Sequence, residues 1–164
     1  MAACVSRKSV GRWRAVSASG AAGAVGVWGM GLFPEARVEL EFVTAVGNRA
    51  LSGRFGGMLV TDTTLDIHSS ILSQNGLDPY GHKRSSGCVR YSNMEGSSAE
   101  GWALGDFSDC PDAVKEGMLD EDPNFVSSEG EWDLHLLLDS PSRDAGLPYA
   151  GLRDPDGTRA DQGL

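Results

Sequence analysis

Residues 29–48, GMGLFPEARVELEFVTAVGN, align without a gap on residues 56–75, GGMLVTDTTLDIHSSILSQN. The offset is the same throughout, and apolar residues fall on apolar residues while turn residues fall on turn residues. The matched positions are Gly29 with Gly56, Leu32 with Leu59, Phe33 with Val60, Glu35 with Asp62, Val38 with Leu65, Leu40 with Ile67, and Asn48 with Asn75. Internal periods of about 20 to 50 residues, within which this one falls, are typical of solenoids, in which each repeat buries its apolar face against its neighbours.

Apolar and polar residues alternate within each copy of the repeat. Val38, Leu40 and Phe42 alternate with Glu39 and Glu41, which is the period of a β-strand rather than of a helix. We therefore expect an all-β chain in which each repeat forms one turn of a parallel β-helix, with neighbouring turns about 4.8 Å apart. The side chains expected to point inward are those of Leu32, Val38, Leu40, Leu59, Leu65 and Ile67.

The repeated asparagines, Asn48 and Asn75, close the two copies. Asparagine amides at one corner of stacked turns can bond to one another as a ladder. Asparagine also tolerates the left-handed backbone conformation that a sharp corner demands. We predict such a corner ladder here.

Short motifs continue this pattern to the end of the chain. They are Asn48-Arg49-Ala50 before Gly56-Gly57, Ser69-Ser70-Ile71-Leu72 with Asn75, residues 89–96 (VRYSNMEG), Asp122-Pro123-Asn124-Phe125-Val126, Trp132-Asp133-Leu134-His135-Leu136, Ser140-Pro141 with Asp144-Ala145-Gly146, and residues 154–163 (DPDGTRADQG). In this order they resemble the right-handed parallel β-helix repeat proteins of bacterial surfaces, in the pectate-lyase-like superfamily. The resemblance implies a short right-handed parallel β-helix over residues 29–164, incomplete at its N-terminal end.

Residues 1–28 resemble this family poorly. Trp13-Arg14-Ala15-Val16 can be read as a degraded turn of the helix whose register is lost. Alternatively, basic residues followed by the uncharged stretch 15–33 have the outline of a secretory signal. Five glycines interrupt that stretch, so it is not a convincing signal, and a membrane-spanning helix is less favoured still.

Charge and cysteine content narrow the classes of partner. Residues 1–60 carry seven Lys/Arg and three Glu, whereas residues 61–164 carry seven Lys/Arg and twenty Asp/Glu. The acidic C-terminal part would repel phosphate backbones, so we expect no nucleic-acid partner.

Cys88 and Cys110 can pair in an oxidising compartment, which would leave Cys4 single, but the spacing of the three cysteines does not decide this.

The resemblance implies two alternative functions. A lyase of this superfamily needs carboxylates and a basic residue that recur along one lateral groove, and the alignment offers only Glu35 and Asp62 as a matched acidic pair. We therefore favour a non-catalytic extracellular or cell-surface module that binds a polysaccharide or a surface protein. Exposed aromatic residues could stack on sugar rings; the candidates are Trp28, Tyr80, Trp102 and Trp132. The alternative is a remnant or relative of a carbohydrate-active enzyme, either a polysaccharide lyase or a glycoside hydrolase.

The sequence DPDGTRAD places Asp154, Asp156 and Asp161 in one short loop. Alternating carboxylates with a glycine at the turn can wrap a hard cation with oxygen ligands. We predict weak calcium binding by these three residues, because the bidentate glutamate that closes an EF-hand loop is missing. The alternative is an Asp-rich turn in which Arg159 neutralises a carboxylate.

Overall fold

The structure, a computed structural model, describes residues 3–5, 11–19, 25–28, 37–47, 55–61, 64–75, 78–83, 86–96, 116–128, 133–149 and 151–163. All regular secondary structure in these ranges is β-strand, as the sequence predicts. These residues accordingly contain no helix that could span a membrane. The strands are β1 (Ala3–Val5), β2 (Gly11–Ser19), β3 (Val25–Trp28), β4 (Arg37–Val46), β5 (Phe55–Thr61), β6 (Thr64–His68), β7 (Ile71–Ser73), β8 (Asp78–Lys83), β9 (Ser86–Arg90), β10 (Asn93–Met94), β11 (Phe125–Ser127) and β12 (Asp133–Leu136).

Two parallel sheets alternate along the chain. The first has the order β1-β3-β5-β8. In the second, β2, β4, β6 and β9 lie side by side, and β7 and β10 continue the same layers beyond a bend. Each strand of the first sheet is followed in the chain by a strand of the second, so the chain passes repeatedly between the two sheets.

The second sheet confirms the offset of the repeat. Leu40 is the Cα partner of Ile67, as the alignment predicts, and Thr44 is the partner of Ile71. β2 pairs with β4 at the same offset, with Trp13 opposite Leu40. The register that the sequence of residues 1–28 did not reveal is therefore present over Gly11–Ser19. From β6 onward the offset is shorter, with Ile67 opposite Val89.

The first sheet corrects the N-terminal half of the alignment. Leu59 lies opposite Gly26 rather than Leu32, and Val60 lies opposite Val27 rather than Phe33. The offset there is longer because eight residues separate β3 from β4 whereas only two separate β5 from β6. A gapless alignment cannot register a turn that changes length between repeats. The loop residues Gly29, Leu32, Phe33, Glu35 and Asp62 lie outside the described residues.

Left-handed residues stack at the bend of the second sheet. Phe42, Ser69 and Tyr91 occupy equivalent positions, with φ of 55°, 52° and 49°. Gly117, at 63°, follows in the next layer, since Asn93 bridges to Leu119 two residues further on. None of the first three is glycine, so the repeated layers hold side chains in a backbone region that they rarely adopt.

A second left-handed column corrects the predicted role of asparagine. Its members are Gly47, Gln74 and Gly96, so the left-handed residue precedes Asn75 rather than being Asn75 itself. The buried Asn75 amide donates through Nδ2 to the carbonyl oxygen of Ala45 at 2.8 Å. Asn48, its predicted ladder partner, lies outside the described residues.

Serine hydroxyls tie successive layers together beside the bend. The backbone N–H of Val43 donates to Oγ of Ser70 at 3.2 Å, and the N–H of Ser70 donates to Oγ of Ser92 at 3.2 Å. Each hydroxyl thus satisfies an amide of the neighbouring layer that the ladder leaves without a carbonyl.

The apolar core lies on the inner face of the second sheet. Leu40, Ile67 and Val89 are register partners and all are buried, which confirms the predicted inward orientation of Leu40 and Ile67. Of the other predicted inward residues, Val38, Leu59 and Leu65 are described in their backbone only, and Leu32 is outside the described ranges. A second cluster of Val46, Ile71 and Phe125 anchors the antiparallel hairpin of β11 and β12.

The chain then folds back across the second sheet. Residues 137–149 and 151–163, called the C-terminal segment below, consist of turns and extended backbone. Ser69 holds this segment at two points: its carbonyl oxygen accepts the N–H of Gly163 at 2.8 Å, and its Oγ accepts the N–H of Leu147 at 2.9 Å. The buried Gln162 side chain adds a bond from Nε2 to the carbonyl oxygen of Gly117 at 3.1 Å.

Candidate functional site

A groove of about 460 Å³ lies between the outer face of the second sheet and the C-terminal segment. One wall carries charged and titratable side chains, and the other carries mostly apolar ones. The lining residues are Glu39, Glu41, His68, Arg90, Leu147, Tyr149, Gly151 and Leu152. Concave sites with a few convergent polar groups are where proteins usually bind small ligands and polymer segments.

The charged wall is a row of register partners. Glu41 on β4 lies opposite His68 on β6, which lies opposite Arg90 on β9. Parallel pairing therefore places one acid, one imidazole and one guanidinium on successive strands about 4.8 Å apart. Glu41 and His68 are both buried, although alternation with Leu40 and Ile67 turns them away from the core. The C-terminal segment lies across this outer face, where Leu147 and Tyr149 line the groove together with them.

His68 is held from both sides of its ring. Nε2 lies 3.5 Å from Oε1 of Glu39, and Nδ1 lies 3.4 Å from Oγ of Ser69. The same Oγ accepts the N–H of Leu147, so this chain of contacts runs from one wall of the groove to the other. Glu39 reaches His68 as a diagonal neighbour on the same face of β4, two residues before the strand partner Glu41. Ser69 lies beside the ring because it follows His68 at the left-handed bend.

The apolar wall is a tight loop of the C-terminal segment. The N–H of Tyr149 donates to the carbonyl oxygen of Leu147 at 2.7 Å, and the N–H of Leu152 donates to that of Tyr149 at 2.9 Å. These turns leave the Tyr149 side chain 65% exposed at the rim. An exposed aromatic ring beside polar groups provides a surface on which the apolar face of a sugar can pack.

An aromatic clamp fixes the segment to the sheet. The Tyr91 hydroxyl donates to Oε1 of Glu116, and this hydrogen bond together with burial raises the pKa of Tyr91 above its usual value. The Arg159 guanidinium lies 5.0 Å from the centre of the Tyr91 ring. Its Nε donates to the carbonyl oxygen of Gly146, and its Nη2 donates to that of Ala145 at 3.2 Å. Arg159 therefore joins the segment to the sheet.

Three carboxylates meet at the base of the apolar loop. Oxygen atoms of Asp144, Asp154 and Asp161 lie within 4.8 Å of one another. Burial, followed by the charges of neighbouring aspartates, raises the pKa of Asp154 above its usual value. Asp144 precedes the loop and Asp154 follows it, so the cluster joins the two ends of the groove wall.

The structure brings together two of the three predicted calcium ligands. Asp154 and Asp161 are in the cluster, with Asp144 as the third member. Asp156 is outside this cluster, and its Oδ1 accepts the N–H of Thr158 at 2.9 Å and the hydroxyl of the same residue at 2.6 Å. These bonds from Thr158 lower the pKa of Asp156. Asp144 belongs to the motif Asp144-Ala145-Gly146, which lies outside the DPDGTRAD loop, so spacing within that loop could not reveal it.

Most of the other predicted candidates fall on residues or side chains that the structure does not describe. Trp28 and Tyr80 are described in their backbone only, while Trp102 and Trp132 lie outside the described residues, as do Glu35 and Asp62. His135 is exposed, and its Nδ1 lies 2.5 Å from Oδ1 of Asp133. Sequence reasoning missed the row of Glu41, His68 and Arg90, although the register of β4 with β6 and of β6 with β9 connects these positions once both are known.

The disulfide state of one cysteine is also defined. Cys88 on β9 takes part in a disulfide. The side chains of Cys4 and Cys110 lie outside the described part of the structure, so pairing with Cys110 stays a prediction.

No protein-family model, no curated protein and no solved structure matches this chain.

Proposed function

We propose that the chain is a short right-handed parallel β-helix that works as a non-catalytic binding module for carbohydrate on the cell surface or outside the cell. Parallel pairing of β4 with β6 and of β6 with β9 supports this fold, as do the stacked left-handed residues at two corners. The handedness rests on the rule that parallel crossover connections are nearly always right-handed. The disulfide of Cys88 supports an oxidising compartment.

The functional proposal rests on the difference between the two walls of the groove, one charged and the other mostly apolar. A pyranose ring has an apolar face of C–H groups and an edge of hydroxyls. Tyr149 and Leu147 offer a surface for the apolar face, while Glu39 and Arg90 offer an acceptor and a donor for the hydroxyls. A stacking ring with convergent polar groups orients a polar ligand, and such binding requires no catalytic step.

Binding to a panel of oligosaccharides tests this function. We expect one or more oligosaccharides from a panel of neutral, acidic and amino sugars to bind, measured by isothermal titration. Tyr149→Ala should weaken that binding at least about fivefold, since an aromatic contact contributes on the order of 1 kcal/mol beyond buried area. Leu138→Ala is the matched control, because Leu138 is 88% exposed and does not line the groove. Absence of binding across the panel, or equal weakening by both variants, would contradict the proposal.

A carbohydrate-active enzyme is the second candidate, and one observation favours it. Glu39, Glu41, His68 and Arg90 line one lateral groove, which provides the acidic and basic groups that general acid–base chemistry uses. Incubation with polygalacturonate, alginate and neutral polysaccharides, followed by absorbance of unsaturated products and by reducing ends, distinguishes the candidates. Turnover by the wild type that is lost in Glu41→Gln would favour the enzyme. Absence of turnover would favour the non-catalytic binding module.

Weak calcium binding remains part of the proposal, with Asp144 added to Asp154 and Asp161. Carboxylate oxygens are the ligands that calcium prefers. A bound ion would stabilise the folded chain by mass action, so the melting temperature should rise with calcium concentration. Asp144→Asn should abolish that rise, whereas Asp156→Asn should preserve it because Asp156 is outside the cluster. If calcium left the melting temperature of all three proteins unchanged, the proposed calcium site would be refuted.

A further inference from the structure

Exposure falls steadily along the contacts that cross the groove. The Glu39 side chain is 37% exposed, the His68 side chain is 5% exposed, and Ser69 is fully buried. A ligand in the groove can therefore reach the carboxylate but not the hydroxyl. This order is the reverse of a serine hydrolase, in which the hydroxyl faces the substrate and the carboxylate is buried.

The hydrogen-bonding capacities of these groups give the chain a direction. Carboxylate oxygens accept hydrogen bonds, so Nε2 of His68 is the atom that would donate toward Oε1 of Glu39. Oγ of Ser69 accepts the N–H of Leu147, and its O–H can donate to Nδ1 of His68 when that nitrogen carries no proton. Every donor then points from Leu147 toward Glu39, and aligned hydrogen bonds polarise one another in the same sense.

We propose that Ser69 and His68 are positioning residues that hold the Glu39 carboxylate as the ligand-facing acceptor of the groove. This inference rests on the proposed carbohydrate-binding function and specifies the ligand contact. A fixed acceptor selects a ligand group that donates hydrogen bonds, namely a pair of sugar hydroxyls or a sugar ammonium group. Ser69 is not a nucleophile in this arrangement, because it is buried and its hydroxyl is already used on both sides.

The tautomer of His68 tests the positioning role without any ligand. Long-range ¹H–¹⁵N correlation of the full chain should show the His68 ring with a proton on Nε2 and none on Nδ1; His82→Asn and His135→Asn assign the signals. Ser69→Ala removes the donor to Nδ1, and Glu39→Ala removes the acceptor for Nε2–H. Each should convert the fixed tautomer into an exchanging mixture. Because Glu39 is partly exposed, its variant tests the claim even if Ser69→Ala does not fold.

Affinity for the best oligosaccharide of the panel tests the ligand contact. We expect Glu39→Ala to weaken binding at least tenfold, since it removes a charged hydrogen-bond acceptor. Ser69→Ala should weaken binding about fivefold, because it loosens the acceptor rather than removing it. Asp66→Ala is the matched control, as Asp66 is the strand partner of Glu39 but does not line the groove. It should change affinity less than twofold.

Two results would overturn the inference. One is a His68 ring protonated on Nδ1, or a tautomer that neither Ser69→Ala nor Glu39→Ala changes. The other is oligosaccharide binding that Tyr149→Ala weakens but Glu39→Ala does not. If no oligosaccharide binds at all, the proposed function fails, while the tautomer measurement still decides whether Ser69 and His68 position Glu39.

Discussion

A single methyl group at Gly146 should loosen the wall of the groove. Gly146 is buried in the C-terminal segment, where it packs against the backbone of Ala160 and Asp161 near the end of the same segment. A Cβ atom there would lie 2.7 Å from the carbonyl oxygens of both Ala160 and Asp161, and 3.2 Å from Oγ of Ser69. Ordinary contact begins near 3.4 Å, so backbone on at least one side must move.

The cost of Gly146→Ala follows from this crowding. Overpacking of a well-packed site costs about 1–3 kcal/mol. Alanine also restricts the unfolded chain, which offsets about 0.4–1 kcal/mol. The free energy of unfolding should therefore fall by about 1–2 kcal/mol, and the melting temperature by about 2–8 °C for a chain of this size. Thermal unfolding followed by circular dichroism measures the shift.

Gly151→Ala is the matched control within the same loop. Its Cβ would meet only the Tyr149 ring, at 3.0 Å from Cε1, and that exposed ring can rotate away. We expect a change in the free energy of unfolding within about 0.5 kcal/mol. If the two variants were equally stable, the close approach of Gly146 to the tail of the chain would be refuted.

Three further predictions concern the core and the titrating side chains. Leu40→Asp should unfold the chain, because it buries a charge without a partner at a cost of several kcal/mol; a folded circular dichroism spectrum for this variant would contradict the assigned core. Because its hydrogen bond to Glu116 raises the pKa of Tyr91, the folded chain retains this proton longer than the unfolded chain, and the stabilisation present below pH 10 is lost as pH rises through the folded pKa. Tyr91→Phe should therefore lower the free energy of unfolding by about 1 kcal/mol at pH 7, with a difference that shrinks in urea titrations above pH 10. Burial and the nearby Asp161 carboxylate raise the pKa of Asp154, so ionising Asp154 costs stability above its pKa; Asp154→Asn should raise the melting temperature at pH 7 in a chelator, and this gain should vanish as pH falls below about 4.

Local patterning was sufficient to predict part of the fold. The alternation around Leu40 and Ile67 identifies two strands, and their matched offset gives the register of the second sheet. Both side chains are buried as predicted, because a strand has only two faces and one of them lines the core. The all-β class follows from the same alternation.

The rest depends on turns and on contacts that are distant in sequence. The offset between paired strands differs between β3–β5, β4–β6 and β6–β9 because loops lengthen or shorten, and no local pattern encodes those changes. The bend is formed by Phe42, Ser69 and Tyr91, and these residue types do not predict a left-handed backbone conformation. Glu41 looks solvent-exposed in the sequence because alternation cannot show that the C-terminal segment covers it.

Glu41, His68 and Arg90 form one wall of the groove only if β4, β6 and β9 pair in parallel at the assigned registers. Nuclear Overhauser contacts between methyl groups test this directly, because Leu40, Ile67 and Val89 are neighbours in the same layers. We predict contacts between Leu40 and Ile67 and between Ile67 and Val89, and none between Leu40 and Val89, which lie two strand spacings, about 9.6 Å, apart. A contact between Leu40 and Val89, or the absence of both predicted contacts, would contradict the parallel stacking and the groove built on it.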